Sequence, residues 1–460
     1  MVNKGNWLNV VGNLVNDLQA DKVPHYVDLP LHYLTKSDLK KLGTLIRYIP
    51  YLFPDPQNPA VLIGLDPNDD AAMQQLIRDH TIMYKADLSS GQPSSLEMQG
   101  AIRIDSHLGM SRLQCLAIIV AAVFRIDLLP DAQGQLLNFN GLYRIPKGKL
   151  HPKGVTNRKE KAKCFVNYIS RGLNFDSQEA TETVEFSQRS NIDISMNYLQ
   201  QQANSPLGAV AFQTTLIEDN EGGLHHDFAN MHYGGGVLGS GCVQEESYVA
   251  QHPESLIPRR LYPVMDDTTT IISKGHRQYS QVPHFNKQFQ FLQGQQDSFQ
   301  KPRILVATDA KSFAKNQTDY TQVQPVNTPL LTQFDMPLIR REIHKLVSGF
   351  GANVVEDTDA VAHTGKYGCG AFGGNEAMKF LIQWLAMSVC QVDMTYCKQQ
   401  TDAPELDQIY SLLQGKTVDY LWTLLRSLAQ HPFRQTLAQK PPAGWNSEVL
   451  QFVAHHVANN

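Results

Sequence analysis

The sequence predicts a mixed α/β protein in which helices cover a β-sheet. Three observations carry this prediction. Short β-like runs recur, each bounded by polar residues, Gly or Pro. Longer segments with helical apolar spacing separate several of them, as expected for a sheet layered with helices. The chain has 460 residues, 42% hydrophobic and 18% charged, which suits a soluble globular protein with a substantial core.

Taken in order, the first 130 or so residues read as mainly helical. DLPLHYLTKSDLKKLGTLIRYIPYLFP (28–54) has apolar residues at helical spacing and ends at prolines. FPDPQNPAVLIGLDPNDD is turn-rich, and MSRLQCLAIIVAAVFRIDL (110–128) is a buried helix with Ser111 as N-cap. From about residue 136 the texture changes. NFNGLYRIPKGKLHPKGVTNRKEKAK (138–163) reads as a basic loop that leads into helical KAKCFVNYISRGL. The β-like runs are TVEFSQ, LGAVAFQTTLIED, TTTIISKG and RILVATDA, and the longer helices are MPLIRREIHKLVSGF and NEAMKFLIQWLAMSVCQ. The glutamine-rich NKQFQFLQGQQDSFQ (286–300) reads as a surface loop. From about 405 the chain is helical again, with a break at QKPPAG near 440, and no repeat of fixed period is present.

A net charge of −4 gives no global attraction to a polyanion, so an anionic partner must be recognised by a local site. The six cysteines lie scattered without a CxxC pair, which argues against a disulfide framework or structural zinc and for a reducing compartment. The N-terminus has no continuous apolar stretch of the signal-peptide kind. The most apolar run, CLAIIVAAVF (115–124), is too short to span a bilayer. The expectation is a soluble, intracellular protein.

The chemistry concentrates in residues 228–247, FANMHYGGGVLGSGCVQEES. Glycine in bulk costs conformational entropy, and adjacent carboxylates repel, so both features need a reason. One reading is a flexible turn followed by acidic residues that oppose a helix dipole. The other joins them: a glycine loop opening a helix offers backbone amides to a phosphate, and glutamates beginning that helix lie beside whatever the phosphate carries. Carboxylates next to a phosphate-bearing sugar suit glycosidic cleavage of a nucleotide sugar. A second cluster, HTGKYGCGAFGGNEAMKFLIQ (363–383), also runs from a turn into a helix. Neither loop has the G-x-G-x-x-G pattern with a following acidic strand residue, so a dinucleotide-binding fold is disfavoured.

GGG, seven residues, then QEE resembles the signature of poly(ADP-ribose) glycohydrolases, and GCGAFGG before a helix resembles their second phosphate loop. IED (217–219), DFAN (227–230), QYS (278–280), VATDA (306–310) and VEFSQRS (184–190) are similar too, in family order from roughly residue 100 to 430. The resemblance implies an ADP-ribose-binding macrodomain, a mixed sheet between helices with an N-terminal helical extension. The corresponding division is a helical accessory region over 1–135, a catalytic macrodomain over 136–430 and a helical tail over 431–460.

By the same resemblance Glu246 is the acid that protonates the departing ribose hydroxyl and then the base that activates water. Glu245 positions the ribose, with help from Gln244. Asp227 shapes the site, and Asn230 contacts the distal ribose. Glu218 reads the adenine while Ile217 packs on it. Gly235, Gly236, Gly370, Ala371 and Phe372 line the diphosphate through backbone amides. Phe285 stands where the family commonly has a tyrosine over the nucleotide, Lys366 where animal members have asparagine, and Gln399 near a phenylalanine that stacks on adenine, with Tyr396 as a possible substitute. No metal or other cofactor is implied. The substrate is poly(ADP-ribose) or ADP-ribosylated protein and the product ADP-ribose, with no membrane or direct DNA partner. Rival readings are a mono-ADP-ribosylhydrolase and a non-catalytic ADP-ribose reader. His225 and His226 read as ordinary surface or cleft histidines, Cys242 inside the motif as a packed small residue, and RKEKAK (158–163) as a solvated face.

Overall fold

The computed structural model describes residues 34–46 in part, 102–124, 128–129, 132–143, 152–191, 196–283, 289–294, 303–313, 330–351, 361–398, 403–430 and 444–459. Its centre is an 8-stranded mixed sheet. In chain order the strands are β1 (Ile102–Ser111), β2 (Thr183–Asn191), β3 (Val210–Gln213), β4 (Leu224–Ala229), β5 (Thr269–Lys274), β8 (Ile304–Asp309), β9 (Val361–Thr364) and β10 (Asp393–Cys397). A separate small hairpin pairs β6 (Ser280–Gln281) with β7 (Gln293–Gly294). The spatial order in the sheet is β1-β2-β5-β8-β4-β9-β10-β3. Strands β8, β4, β9, β10 and β3 run parallel, whereas β1, β2 and β5 join by antiparallel pairing.

Because side chains alternate across a strand, the sheet feeds two cores. Ile271 and Ala307 enter one, while their neighbours Ile272 and Val306 enter the other. The first core is closed by helices α1 (Arg112–Val123) and α2 (Pro152–Gly172). Helix α3 (Gln244–Gln251), which begins with the paired glutamates, packs on α2 at its edge. The second core lies under α4 (Met336–Phe350) and α5 (Glu376–Val389), backed by α6 (Glu405–Leu413), α7 (Val418–Gln430) and α8 (Trp445–Asn459). Ser111 caps α1 as the sequence predicts, its hydroxyl accepting from the Gln114 amide while the Gln114 side chain accepts from the Ser111 amide.

Three local expectations change. The segment read as helical over 1–135 contains a ten-residue strand, and β1 pairs along β2 from Ile102↔Asn191 to Ser111↔Thr183. The expected basic loop is already helix from Pro152, because helical spacing places Asn157, Lys161, Cys164, Phe165, Tyr168 and Ile169 on one buried stripe. RKEKAK is therefore not a uniformly solvated face. At the other end, α8 is packed rather than trailing, with Trp445, Val449 and Val453 buried against the second core.

Candidate active site

In open sheets ligands bind beyond the carboxyl ends of parallel strands. Here β4 and β9 are parallel neighbours, so both glycine loops leave the same edge of the sheet. The two loops approach closely, since the ring of Phe228 lies 3.6 Å from where a Cβ on Gly365 would stand.

The first loop is built around the two glutamates. Glu245 accepts from the amides of Asn230 at 3.0 Å and Gly234 at 2.6 Å. Glu246 accepts from the amides of Gly236 and Val243, both at 2.8 Å, and the second bond caps the start of α3. Gly235 has φ of +45°. A Cβ there would sit 2.4 Å from a Glu245 oxygen and 2.7 Å from a Glu246 oxygen. At Gly241 it would sit 2.6 Å from Glu246. Glycine is required at these positions because the carboxylates occupy the space a side chain would take. Gln244 fastens the helix to the strand: its carbonyl oxygen accepts from the Phe228 amide at 2.9 Å and its amide donates to the His226 carbonyl at 3.1 Å.

Below the pair lies Asp227, on β4 and fully buried. Neither of its carboxyl oxygens has a hydrogen-bond partner among the described residues. Burial first, then the nearby charges of Glu246 and Glu218, push its pKa well above the carboxylate range. Glu245 is pushed well up too, by burial and then by Asp227 and Glu246. Glu218 is buried on the short 3₁₀ turn Ile217–Asp219 before β4, and burial raises it to about 7. Ile217 is buried beside it. Asn230 directly follows β4, and its side-chain oxygen accepts from the His232 amide at 2.9 Å.

The second loop behaves differently. Gly374 turns back so that its amide meets the Gly368 carbonyl at 2.9 Å, and Asn375 caps α5 through the Met378 amide. Gly370 and Ala371 stand exposed, and the amides of Gly370, Ala371 and Phe372 meet no acceptor among the described residues. By contrast the Gly236 amide holds Glu246, and the Gly235 amide closes a turn on the His232 carbonyl at 2.9 Å. The Gly235 and Gly236 amides, expected from the resemblance to line a diphosphate, thus have acceptors inside the loop itself. Those amides are spent within the loop, and the open ones belong to the second loop. Phe372 is half-buried against the second core, with its carbonyl accepting from the Phe313 amide at 2.7 Å.

Other expectations are revised by burial. His225 and His226 are fully buried core residues, not surface or cleft groups. His226 bridges the hydroxyls of Thr364 and Thr308, each at 2.7 Å, and burial lowers it to about 3, so it is neutral. Tyr396 is fully buried against Phe380 and Phe212, with its hydroxyl donating to Glu376 at 3.2 Å, so it offers no face for stacking. Lys366 forms an ion pair with Glu376 at 3.7 Å. Cys242 is half-buried against the first core. Phe285 and Gln399 lie outside the described residues, as does most of the glutamine-rich segment.

The structure adds two residues that the motif does not contain. Arg259 donates to the carbonyls of Tyr233 at 2.8 Å and Gly235 at 3.0 Å, bracing the loop from the outer side. Lys161 on α2 donates to the carbonyls of Gly236 at 3.0 Å and Gly241 at 2.5 Å. Helical periodicity marks Lys161 as buried, but the surrounding charge run masks that signal.

The chain is a mixed sheet flanked by helices, with two glycine loops leaving the same end of neighbouring parallel strands and the first of them gripping paired carboxylates. Residues 196–405 match the family model described as "Poly (ADP-ribose) glycohydrolase (PARG), Macro domain fold". Strands β1 and β2 precede the matched segment. Relatives include "Probable poly(ADP-ribose) glycohydrolase 2" of Arabidopsis thaliana, 25% identical over 348 residues, covering 65% of this chain and 63% of the relative. "Poly(ADP-ribose) glycohydrolase 1" of Caenorhabditis elegans is 30% identical over 198 residues, covering 40% of this chain and 24% of the relative. The chain therefore spans less than two thirds of either relative's length. Among solved structures, poly(ADP-ribose) glycohydrolase from Deinococcus radiodurans in complex with ADP-ribose aligns at 16% identity and a TM-score of 0.29, covering 45% of this chain and 84% of that one.

Proposed function

We propose that this chain is a poly(ADP-ribose) glycohydrolase that hydrolyses ribose–ribose O-glycosidic bonds to release ADP-ribose. The observation that carries the reading is the division of labour between the loops. One uses its amides to fix two adjacent carboxylates, and the other presents amides with no acceptor among the described residues at the same end of the sheet, as a diphosphate next to a scissile sugar bond requires. The names of the relatives point to the same substrate.

In this reading Glu246 donates its proton to the leaving ribose oxygen as the C–O bond breaks and positive charge builds on the anomeric carbon. The resulting carboxylate, held by the amides of Gly236 and Val243, then takes a proton from water as the water oxygen bonds to that carbon. Glu245, biased toward the neutral form, orients the ribose as a hydrogen-bond donor, and buried Asp227, biased the same way, shapes the site from below without adding negative charge beside the acid. Gly370, Ala371 and Phe372 face the diphosphate, with Glu218 and Ile217 at the adenine end and Asn230 at the distal ribose. The catalytic unit is the 136–430 macrodomain extended by β1 and α1, and a reducing intracellular setting fits the six free cysteines. No described helix is long and apolar enough to cross a membrane.

Supplied with purified polymer and, separately, with singly ADP-ribosylated protein, the enzyme should release ADP-ribose rapidly from the polymer and little from the single modification. Release from the singly modified protein alone would replace this reading with a mono-ADP-ribosylhydrolase.

A further inference from the structure

Lys161 is a fully buried lysine with two carbonyl partners, yet it lies on a helix that the family model does not cover. Its ammonium donates to the carbonyls of Gly236 and Gly241. These residues bracket a tight loop in which the Gly236 carbonyl also accepts from the amides of Gly239 at 2.8 Å and Gly241 at 3.2 Å. The Gly236 amide holds one oxygen of Glu246, and Gly241 is so close to that oxygen that a Cβ would collide with it. The lysine therefore grips, from behind, the two backbone units that enclose Glu246.

We propose that Lys161 is a positioning residue for Glu246: its ammonium draws the carbonyls of Gly236 and Gly241 together, fixing the loop against the carboxylate and placing a buried positive charge beside it. This inference rests on the reading of Glu246 as the acid and base. When Glu246 has given up its proton, the charge of Lys161 offsets the carboxylate that remains in a site poor in water.

The groups acting on the ammonium are Glu246 and Cys242 on the loop side and Arg158 and Cys164 on its own helix. Along the same helix, Glu160 accepts from the Phe291 amide at 3.0 Å. On the 3₁₀ turn Pro253–Leu256, which follows α3 and packs on α2, Glu254 is engaged by Arg112 at 2.6 Å and by Tyr279 at 2.6 Å. Burial lowers Lys161 to about 8 against the attraction of Glu246. Its charge is therefore present below about pH 8 and lost above it.

The test compares pH–rate profiles for polymer hydrolysis by wild type, Lys161→Met and Lys161→Arg. Lys161→Met should lower kcat about tenfold or more below pH 7, an effect of the size seen when a group that orients a reacting residue is removed. The gap should narrow as pH rises through 8, where the wild-type lysine itself loses charge. Lys161→Arg keeps its charge across that range, so its profile should lack the wild-type change near 8. If Lys161→Met does not fold, the comparison of wild type with Lys161→Arg decides the matter alone. A wild-type to Met ratio that stays constant with pH, or identical wild-type and Arg profiles, would overturn the proposal. Wild type that releases no ADP-ribose at any pH would instead strike the reading of Glu246 on which it rests.

Discussion

Gly235 shows how tightly residues constrain one another here. Its left-handed backbone and its contact with both glutamates leave no room for a methyl group. Gly235→Ala should lower kcat by about 100-fold through displaced carboxylates, at a stability cost of about 1–3 kcal/mol. Enzyme assays beside urea melts separate the two effects. Glu218 makes a pH-dependent prediction. Its folded value of about 7 lies above the ordinary 4.5, so its contribution to stability is complete below about pH 4.5 and is lost as pH rises through about 7. Glu218→Gln should thus be more stable than wild type at pH 8, by up to about 3 kcal/mol, with the difference gone near pH 4.5. Urea midpoints at the two pH values check this. The paired glutamates were legible from spacing and resemblance. Lys161 and His226 were not, because a one-dimensional charge run or histidine pair does not show which face of an element is buried.

The elements carry the site through a few specific ties. Gln244 bridges α3 to the backbone of β4 in the manner of an added strand partner. Replacing it by Ala should cost about 1–3 kcal/mol, read by denaturant unfolding. The second loop offers a binding test with little structural cost. Ala371→Pro removes an open amide at an exposed position and should weaken ADP-ribose binding about tenfold by calorimetry, while the thermal midpoint stays near wild type. The role proposed for the second loop comes from its glycine pattern, but the difference between engaged and open amides needs the three-dimensional turn. Helices α4 and α5 were visible almost to the residue, because apolar periodicity and caps agree there. Strand β1 was not, since IRIDSHLGMS mixes apolar alternation with polar residues and a register shift after Ile104.

Across the whole molecule, buried ion pairs join segments far apart in sequence. Arg112, at the start of α1, donates to Glu254 at 2.6 Å, to Glu182 at 2.9 Å and to the Gly275 carbonyl at 2.6 Å. Glu254 is fully buried, so Arg112→Met leaves an uncompensated carboxylate and should cost about 3–5 kcal/mol. Strand β1 pairs along β2, and Arg112 of α1 reaches Glu182 and Glu254, so contacts run across the expected boundary near residue 135. Such long-range pairing leaves no local trace in the sequence. On the opposite face, Arg341 and Lys345 of α4 pair with Asp309 at the end of β8, each within 2.6 Å, holding that strand beneath the site.

The most direct measurement is release of free ADP-ribose from purified poly(ADP-ribose) by wild type and by Glu246→Gln, with ADP-ribose affinity measured on both. The account predicts rapid release by wild type, loss of at least about 1,000-fold in Glu246→Gln, and similar affinity in the two. Polymer hydrolysis by Glu246→Gln at the wild-type rate would contradict it.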